Sequence, residues 1–160
     1  MTETRLLVEN AYYHVYIRGN QKQKVFLDEE DFEFYLAQLY RYKLKYSFHI
    51  YGYCLMPNHI HLVGEPETAK KLSKFMQCLH RSYTSYFNNK YGKVGHLWQG
   101  RFKSKVINKD NYAVNCINYV ELNPVRAGIV ANPGDYKFSS YRGRVLNKNS
   151  GKKLLDELIF

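Results

Sequence analysis

At 160 residues, 45% of them hydrophobic and 24% charged, the chain has the size of one soluble domain with enough apolar material to bury a core. No run approaches the ~18 apolar residues of a membrane-spanning helix. Met1 to Ala11 carries Glu3 and Glu9 beside Arg5 and has no apolar stretch, so no signal peptide is expected. Lys and Arg total 24 against 14 Asp and Glu, a net charge of +10, and 16% of the residues are aromatic. Cations for phosphate and flat rings for unpaired bases are what a single-strand nucleic-acid binder needs. A basic protein with tyrosine-rich packing has the same balance. Cys54, Cys78 and Cys116 are widely spaced, odd in number and without a CxxC pair. They argue against a disulfide framework or a structural zinc site and fit a reducing cytosol, so a cytoplasmic location is expected.

Residues 12–18, β-branched and aromatic, read as a strand that Gly19-Asn20 ends. Asp28 offers an N-cap with Asp31 three residues on, an imperfect capping box. Phe32, Tyr35, Leu36, Leu39 and Tyr40 then recur at helical spacing, which predicts a helix over 29–43. Residues 47–63 read as a hairpin turning at Met56-Pro57-Asn58. A second helix is predicted over 68–88, capped by Thr68, with Leu72, Phe75, Met76, Leu79, Tyr83 and Tyr86 on one face. A loop over 91–100 leads to a strand over 101–107, and Asp110 caps a third helix over 111–122.

The order β-α-β-β-α-β followed by a helix predicts an α+β fold. It is the ferredoxin-like split β-α-β with an antiparallel sheet and one added helix. Residues 1–145 are expected to form a single domain. Residues 146–160 are expected to form a basic loop and a short C-terminal docking helix or tail.

Three stretches carry groups able to do chemistry. In His59-Ile60-His61, strand alternation points both imidazoles to one face about 7 Å apart, spaced to converge on one divalent ion; two half-exposed histidines would have the same pattern. In the run from Tyr119 to Gly128, Tyr119 and Asn123 are four apart and share a helix face, a phenol and an amide oxygen able to meet at one point. Asn123 before Pro124 is equally a good start for a new helical turn, and proline disfavours helix at Asn123 itself. From His96 to Lys105, Arg101, Lys103 and Lys105 fall on one strand face, spaced for a phosphate backbone. Trp98 beside Gly100 is either an exposed stacking platform or a core residue. There is no Gly-rich phosphate loop, GxSxG or HExxH.

Taken together and in order, five stretches resemble the HUH single-tyrosine transposases, specifically the REP-associated tyrosine transposase group. They are Tyr13-His14-Val15 with Arg18-Gly19-Asn20; Met56-Pro57-Asn58-His59-Ile60-His61-Leu62; Gly95-His96-Leu97-Trp98-Gln99-Gly100-Arg101-Phe102; Tyr119 through Gly128; and Ser139-Ser140-Tyr141. The resemblance implies that His59 and His61 on a central strand, with Asn123, are metal ligands and that Tyr119 on a flanking helix is the nucleophile. It implies nucleic-acid contacts at Arg18, Asn20, His96, Trp98, Gln99, Arg101, Lys103, Lys105 and Arg126. The implied activity is transposase-like cleavage of single-stranded DNA beside short hairpins, through a 5′-phosphotyrosine and a free 3′-hydroxyl, with Mg²⁺ or Mn²⁺. No ATP is needed, because the covalent link keeps the phosphodiester's energy for rejoining. A neutral phenol is a poor nucleophile and a phosphodiester repels anions, so a divalent ion on a non-bridging oxygen suits the step. A two-histidine, one-amide set is a loose fit for Mg²⁺, and Mn²⁺ is expected to bind better.

Glu121 departs from the resemblance by placing an acid near a phosphate site, and the chain ends at Phe160, short of the longer tail of some members. Monomer and homodimer both remain open. The competing reading is a domesticated, catalytically silent DNA- or RNA-binding module of the same fold.

Overall fold

The computed structural model describes residues 4–148 and 153–158. Strand β1 (Tyr12–Arg18) is followed by helix α1 (Glu29–Tyr46), then β2 (Phe48–Met56), β3 (His59–Pro66), α2 (Ala69–Tyr91), β4 (Lys103–Ile107) and α3 (Asn111–Glu121). Two single-turn helices follow, α4 (Asn123–Arg126) and α5 (Tyr141–Arg144). The sheet order is β2-β3-β1-β4 with every neighbouring pair antiparallel. β1 and β2 run parallel with β3 inserted between them, so the fold is the expected ferredoxin-like split β-α-β.

Strand alternation sorts the side chains into two layers. Tyr13, Val15 and Ile17 of β1 join Ile60 and Leu62 of β3 in a core with Leu39 of α1 and Phe75, Leu79 and Tyr83 of α2. On the other face Tyr12, Cys54, Met56 and Val63 pack against Ala113, Ile117 and Val120 of α3. A β-bulge at Ile50–Gly52 lets α3 come close to β2. A Cβ at Gly52 would stand 2.8 Å from Ile117 Cγ2, so any larger residue there must displace the Ile117 side chain.

Local chemistry accounts for the element ends. Asp28 and Asp31 form a complete capping box at α1, and Leu27 N–H also donates to the Asp31 carboxylate at 2.7 Å. Asp31 further accepts from Tyr86, Tyr91 and Lys90 of α2, which ties the start of α1 to the end of α2. Thr68 makes no side-chain cap at α2. Glu9 from the N-terminal segment does so instead, accepting from Ala69 N–H at 3.0 Å. At the chain's other end, where a short docking helix or a tail is expected, residues 153–158 are not helical. Asp156 N–H donates to Ile50 O at 2.7 Å and Ile50 N–H donates to the Asp156 carboxylate at 2.9 Å, while Leu154 and Leu155 pack on the core. The backbone groups a helix would have used internally are spent on the free edge of β2. Leu158 packs by α3, and the remainder of the expected helix lies outside the described residues.

Candidate active site

The cross-strand register gathers Arg18, His59, His61, Lys103 and Lys105 on the sheet face beneath α3. Met56, His59 and Arg18 face one another across β2, β3 and β1. Cys54, His61, Tyr16 and Lys103 form the next row, and Gly52, Val63, His14 and Lys105 the one after. Two cations of β4 therefore flank the histidine pair on the same face.

Each histidine has one ring nitrogen engaged. His59 Nδ1 lies 2.7 Å from Asn58 Oδ1, and His61 Nδ1 lies 2.8 Å from His14 Nε2. The Tyr16 ring stands against both, with centroids 5.7 Å from His59 and 5.0 Å from His61. Burial pushes all three imidazoles toward the neutral form. His61 is lowered to about 3, by desolvation first and then by His14, His59 and Arg126. His59 is lowered by desolvation and Arg18, and His14 by desolvation and Lys105. A neutral imidazole carries a free lone pair, the state a metal ligand needs. Among the described residues no group of three His, Cys, Asp or Glu forms a metal cluster, so a third protein ligand for any metal held here would be of another residue type. Asn123 has suitable chemistry. Its amide nitrogen donates to Val120 O at 3.0 Å, which leaves the amide oxygen as its free ligand atom.

α3 ends at Glu121, before Pro124, and Asn123 opens the separate turn α4. Tyr119 lies near the end of α3 with its side chain 53% exposed. The Arg126 guanidinium carbon stands 3.9 Å above the Tyr119 ring, and Arg126 Nη2 donates to Tyr119 O at 2.7 Å. Arg126 also contributes to the field at His61. Glu121 is tied up in internal contacts. It is 1% exposed, accepts from Ser140 Oγ at 2.5 Å and is held by Arg144, whose Nη2 reaches Glu121 Oε2 at 2.6 Å and Asn118 Oδ1 at 2.8 Å. The acid that departs from the expected motif is neutralised inside the protein.

Two expectations for the basic segment require correction. Trp98 is 9% exposed and packs against His80 and Tyr83, with ring centroids at 4.8 Å and 6.0 Å, so it is a core residue and not a stacking platform. The cause is a β-bridge between Gly19 and Trp98 that fastens this loop to the end of β1. Arg101 does not continue the row of Lys103 and Lys105. Gly100, in the left-handed region at φ +69°, turns the chain before β4 begins, and Arg101 instead lines a cavity of about 600 Å³ with Arg5, Lys74 and Phe102. The same loop brings Arg18 Nε to 3.2 Å from Gln99 Oε1, and Asn20, His96 and Arg101 line a further groove of about 500 Å³. His14, Tyr16, Asn58 and Arg144 are the site's unforeseen members. The alternation of His14, Tyr16 and Arg18 shows that they share a face, but the register that sets them against β3 has no local signal.

Residues 7–123 match the family model described as transposase IS200 like, and the chain belongs to that family. A Haemophilus influenzae protein named as a REP-associated tyrosine transposase is 31% identical over 107 residues, 60% of this chain. The chain spans about 60% of that relative's length. Among solved structures, a REP-associated tyrosine transposase bound to a REP hairpin superposes with a TM-score of 0.74 at 19% identity, covering 100% of both chains. A candidate transposase from Deinococcus radiodurans superposes at 0.50 and 17% identity, over 76% of this chain and 96% of that one. These two structures share the fold. Among the described residues no helix is long and apolar enough to cross a membrane.

Proposed function

We propose that this protein is a divalent-metal-dependent, single-stranded DNA endonuclease and strand transferase that cuts beside hairpins with Tyr119 as nucleophile. The observation that carries the reading is one sheet face on which two neutral histidines, each with Nε2 uncommitted by the contacts above, lie beneath the helix bearing an exposed tyrosine under an arginine. His59, His61 and the amide oxygen of Asn123 would hold Mg²⁺ or Mn²⁺, which when bound supplies charge neutralisation at a non-bridging phosphate oxygen.

The Tyr119 hydroxyl attacks phosphorus, forming the Oη–P bond as the P–O3′ bond breaks. The phenolic proton passes to solvent, and the departing 3′-oxygen takes one up to become a hydroxyl. Rejoining runs the step backwards with another 3′-hydroxyl, so no nucleotide cofactor enters. Arg126 is placed to pair with the phosphate, and Lys103 and Lys105 with the neighbouring backbone of the strand. The hairpin held by the solved neighbour supports a hairpin-flanked substrate.

The test incubates the protein and Mn²⁺ with labelled hairpin-flanked single-stranded DNA and resolves the products on denaturing gels. A protein-linked band that EDTA and Tyr119→Phe both abolish is expected. An adduct that survives Tyr119→Phe overturns the assignment, and salt-sensitive binding with no adduct favours the silent binding module.

A further inference from the structure

We propose that His14 and Asn58 are positioning residues that fix the tautomers of His61 and His59, so that both present Nε2 outward to a divalent ion. The inference rests on the metal reading above and deepens it. An imidazole can ligate through either nitrogen, and the nitrogen that remains free is set by the hydrogen bond the other one makes.

For His59 the choice follows from the chemistry of its partner. Asn58 Nδ2 donates to Lys22 O at 3.4 Å, so Asn58 Oδ1 is the atom turned to His59 Nδ1 at 2.7 Å. A carbonyl oxygen only accepts, hence Nδ1 carries the proton and Nε2 keeps its lone pair. The arrangement follows from the Pro57-Asn58 turn between β2 and β3, which seats the amide one residue before the ligand.

For His61 the partner is another imidazole, and here two arrangements are possible. If His14 Nε2 donated, His61 would carry its proton on Nε2 and lose the outward lone pair. If His61 Nδ1 donates, His61 Nε2 is free and His14 carries its own proton on Nδ1. Only the second is compatible with a ligand, and it assigns His14 the role of acceptor. His14 reaches His61 diagonally across the β1–β3 pair, and the rings lie with centroids 5.1 Å apart at an interplanar angle of 22°. Tyr16, directly opposite His61, walls the two ligand rings on the side toward β1. Two neighbours of different chemistry thus do the same thing to the two members of one pair.

The series that tests this sets ring shape against acceptor chemistry. His14→Phe keeps the aromatic packing and removes the acceptor, whereas His14→Gln loses the ring and keeps an acceptor. Asn58→Leu and Asn58→Asp repeat the comparison on a half-buried turn, with urea unfolding of every variant confirming that the fold is kept. Mn²⁺ affinity is read from the free-ion EPR signal without DNA, and imidazole ¹⁵N shifts report the tautomers in metal-free protein. We expect His14→Phe and Asn58→Leu to lose roughly 10- to 100-fold in Mn²⁺ affinity, with His14→Gln and Asn58→Asp within a few-fold of wild type. The wild-type ¹⁵N spectrum should show the proton on Nδ1 of both ligands. The reverse order at position 14 assigns His14 to packing and overturns the proposal, as does a His61 proton found on Nε2. Coupling of three imidazole nitrogens to bound Mn²⁺ overturns it too, by making His14 a ligand. Wild-type protein that binds no Mn²⁺ while showing both Nδ1 protons defeats the metal reading and leaves the tautomer assignment standing.

Discussion

Arg126 joins two things that the chemistry needs in register. Its guanidinium stands over the Tyr119 ring while one nitrogen holds the Tyr119 carbonyl, so the cation is anchored to the same residue whose ring it covers. A planar fork can do both at once and still offer donors to a phosphate, whereas an ammonium is a point charge without a stacking face. Arg126→Gln should slow adduct formation on saturating DNA by roughly 100-fold, the scale of losing one preorganised donor at a site of developing charge. Arg126→Lys should lose less, and binding of the hairpin in EDTA should fall by under tenfold for both variants. Equal single-turnover rates in all three proteins would remove Arg126 from the chemistry.

The tyrosine helix is held at its far side by a segment distant in sequence. Glu121 is fully buried, and its carboxylate depends on Arg144 and Ser140, so removing the arginine strands a charge beneath α3. Breaking one side of such a pair costs about 3–5 kcal/mol, whereas apolar replacement of both sides is close to neutral. Arg144→Ala should therefore lower the urea-unfolding free energy by about 3 kcal/mol, and Glu121→Leu with Arg144→Met should recover most of it. A loss under about 1 kcal/mol in the single variant would show that α3 stands without this latch. None of this could be read locally, and the elements divide along the same line. Strand β1, the hairpin and the start of α1 follow from alternation, a two-residue turn and a capping box, all of which act within a few residues. α1 outran its expected end because Ser47, not a glycine, takes the left-handed cap. Trp98 was misplaced because a bridge to Gly19, far along the chain, decides its position, and Arg101 because the left-handed turn at Gly100 breaks the strand alternation the sequence pattern suggests. The residue types of the site showed in the pattern; the contacts of His14 with His61 required the sheet register.

At the scale of the molecule, the sheet divides a thick aromatic core from the face that carries the site, and histidines are buried on both sides. His80, 7% exposed in the core, has its ring nitrogen 3.1 Å from the Tyr35 hydroxyl and is pushed down to about 3 by desolvation alone. Burial lowers His14, His59 and His61 as well. For a histidine with a depressed folded value, both states are neutral above pH ~6.5 and stability does not depend on pH. Below that point the unfolded chain takes up a proton that the folded protein refuses, so stability falls as pH falls. The loss approaches about 1.4 kcal/mol per pH unit for each such group. His80 is the clean case, because it lies in the core layer away from His59 and His61 and its shift has a single cause. Urea unfolding at pH 7.5 and pH 5.0 should show wild type losing about 2 kcal/mol more than His80→Gln across that interval. Glutamine keeps a polar partner for the Tyr35 hydroxyl but has no proton to gain. Equal losses in the two proteins would mean that His80 accepts its proton in the folded state, and that the aromatic core admits a charge its packing is arranged to exclude.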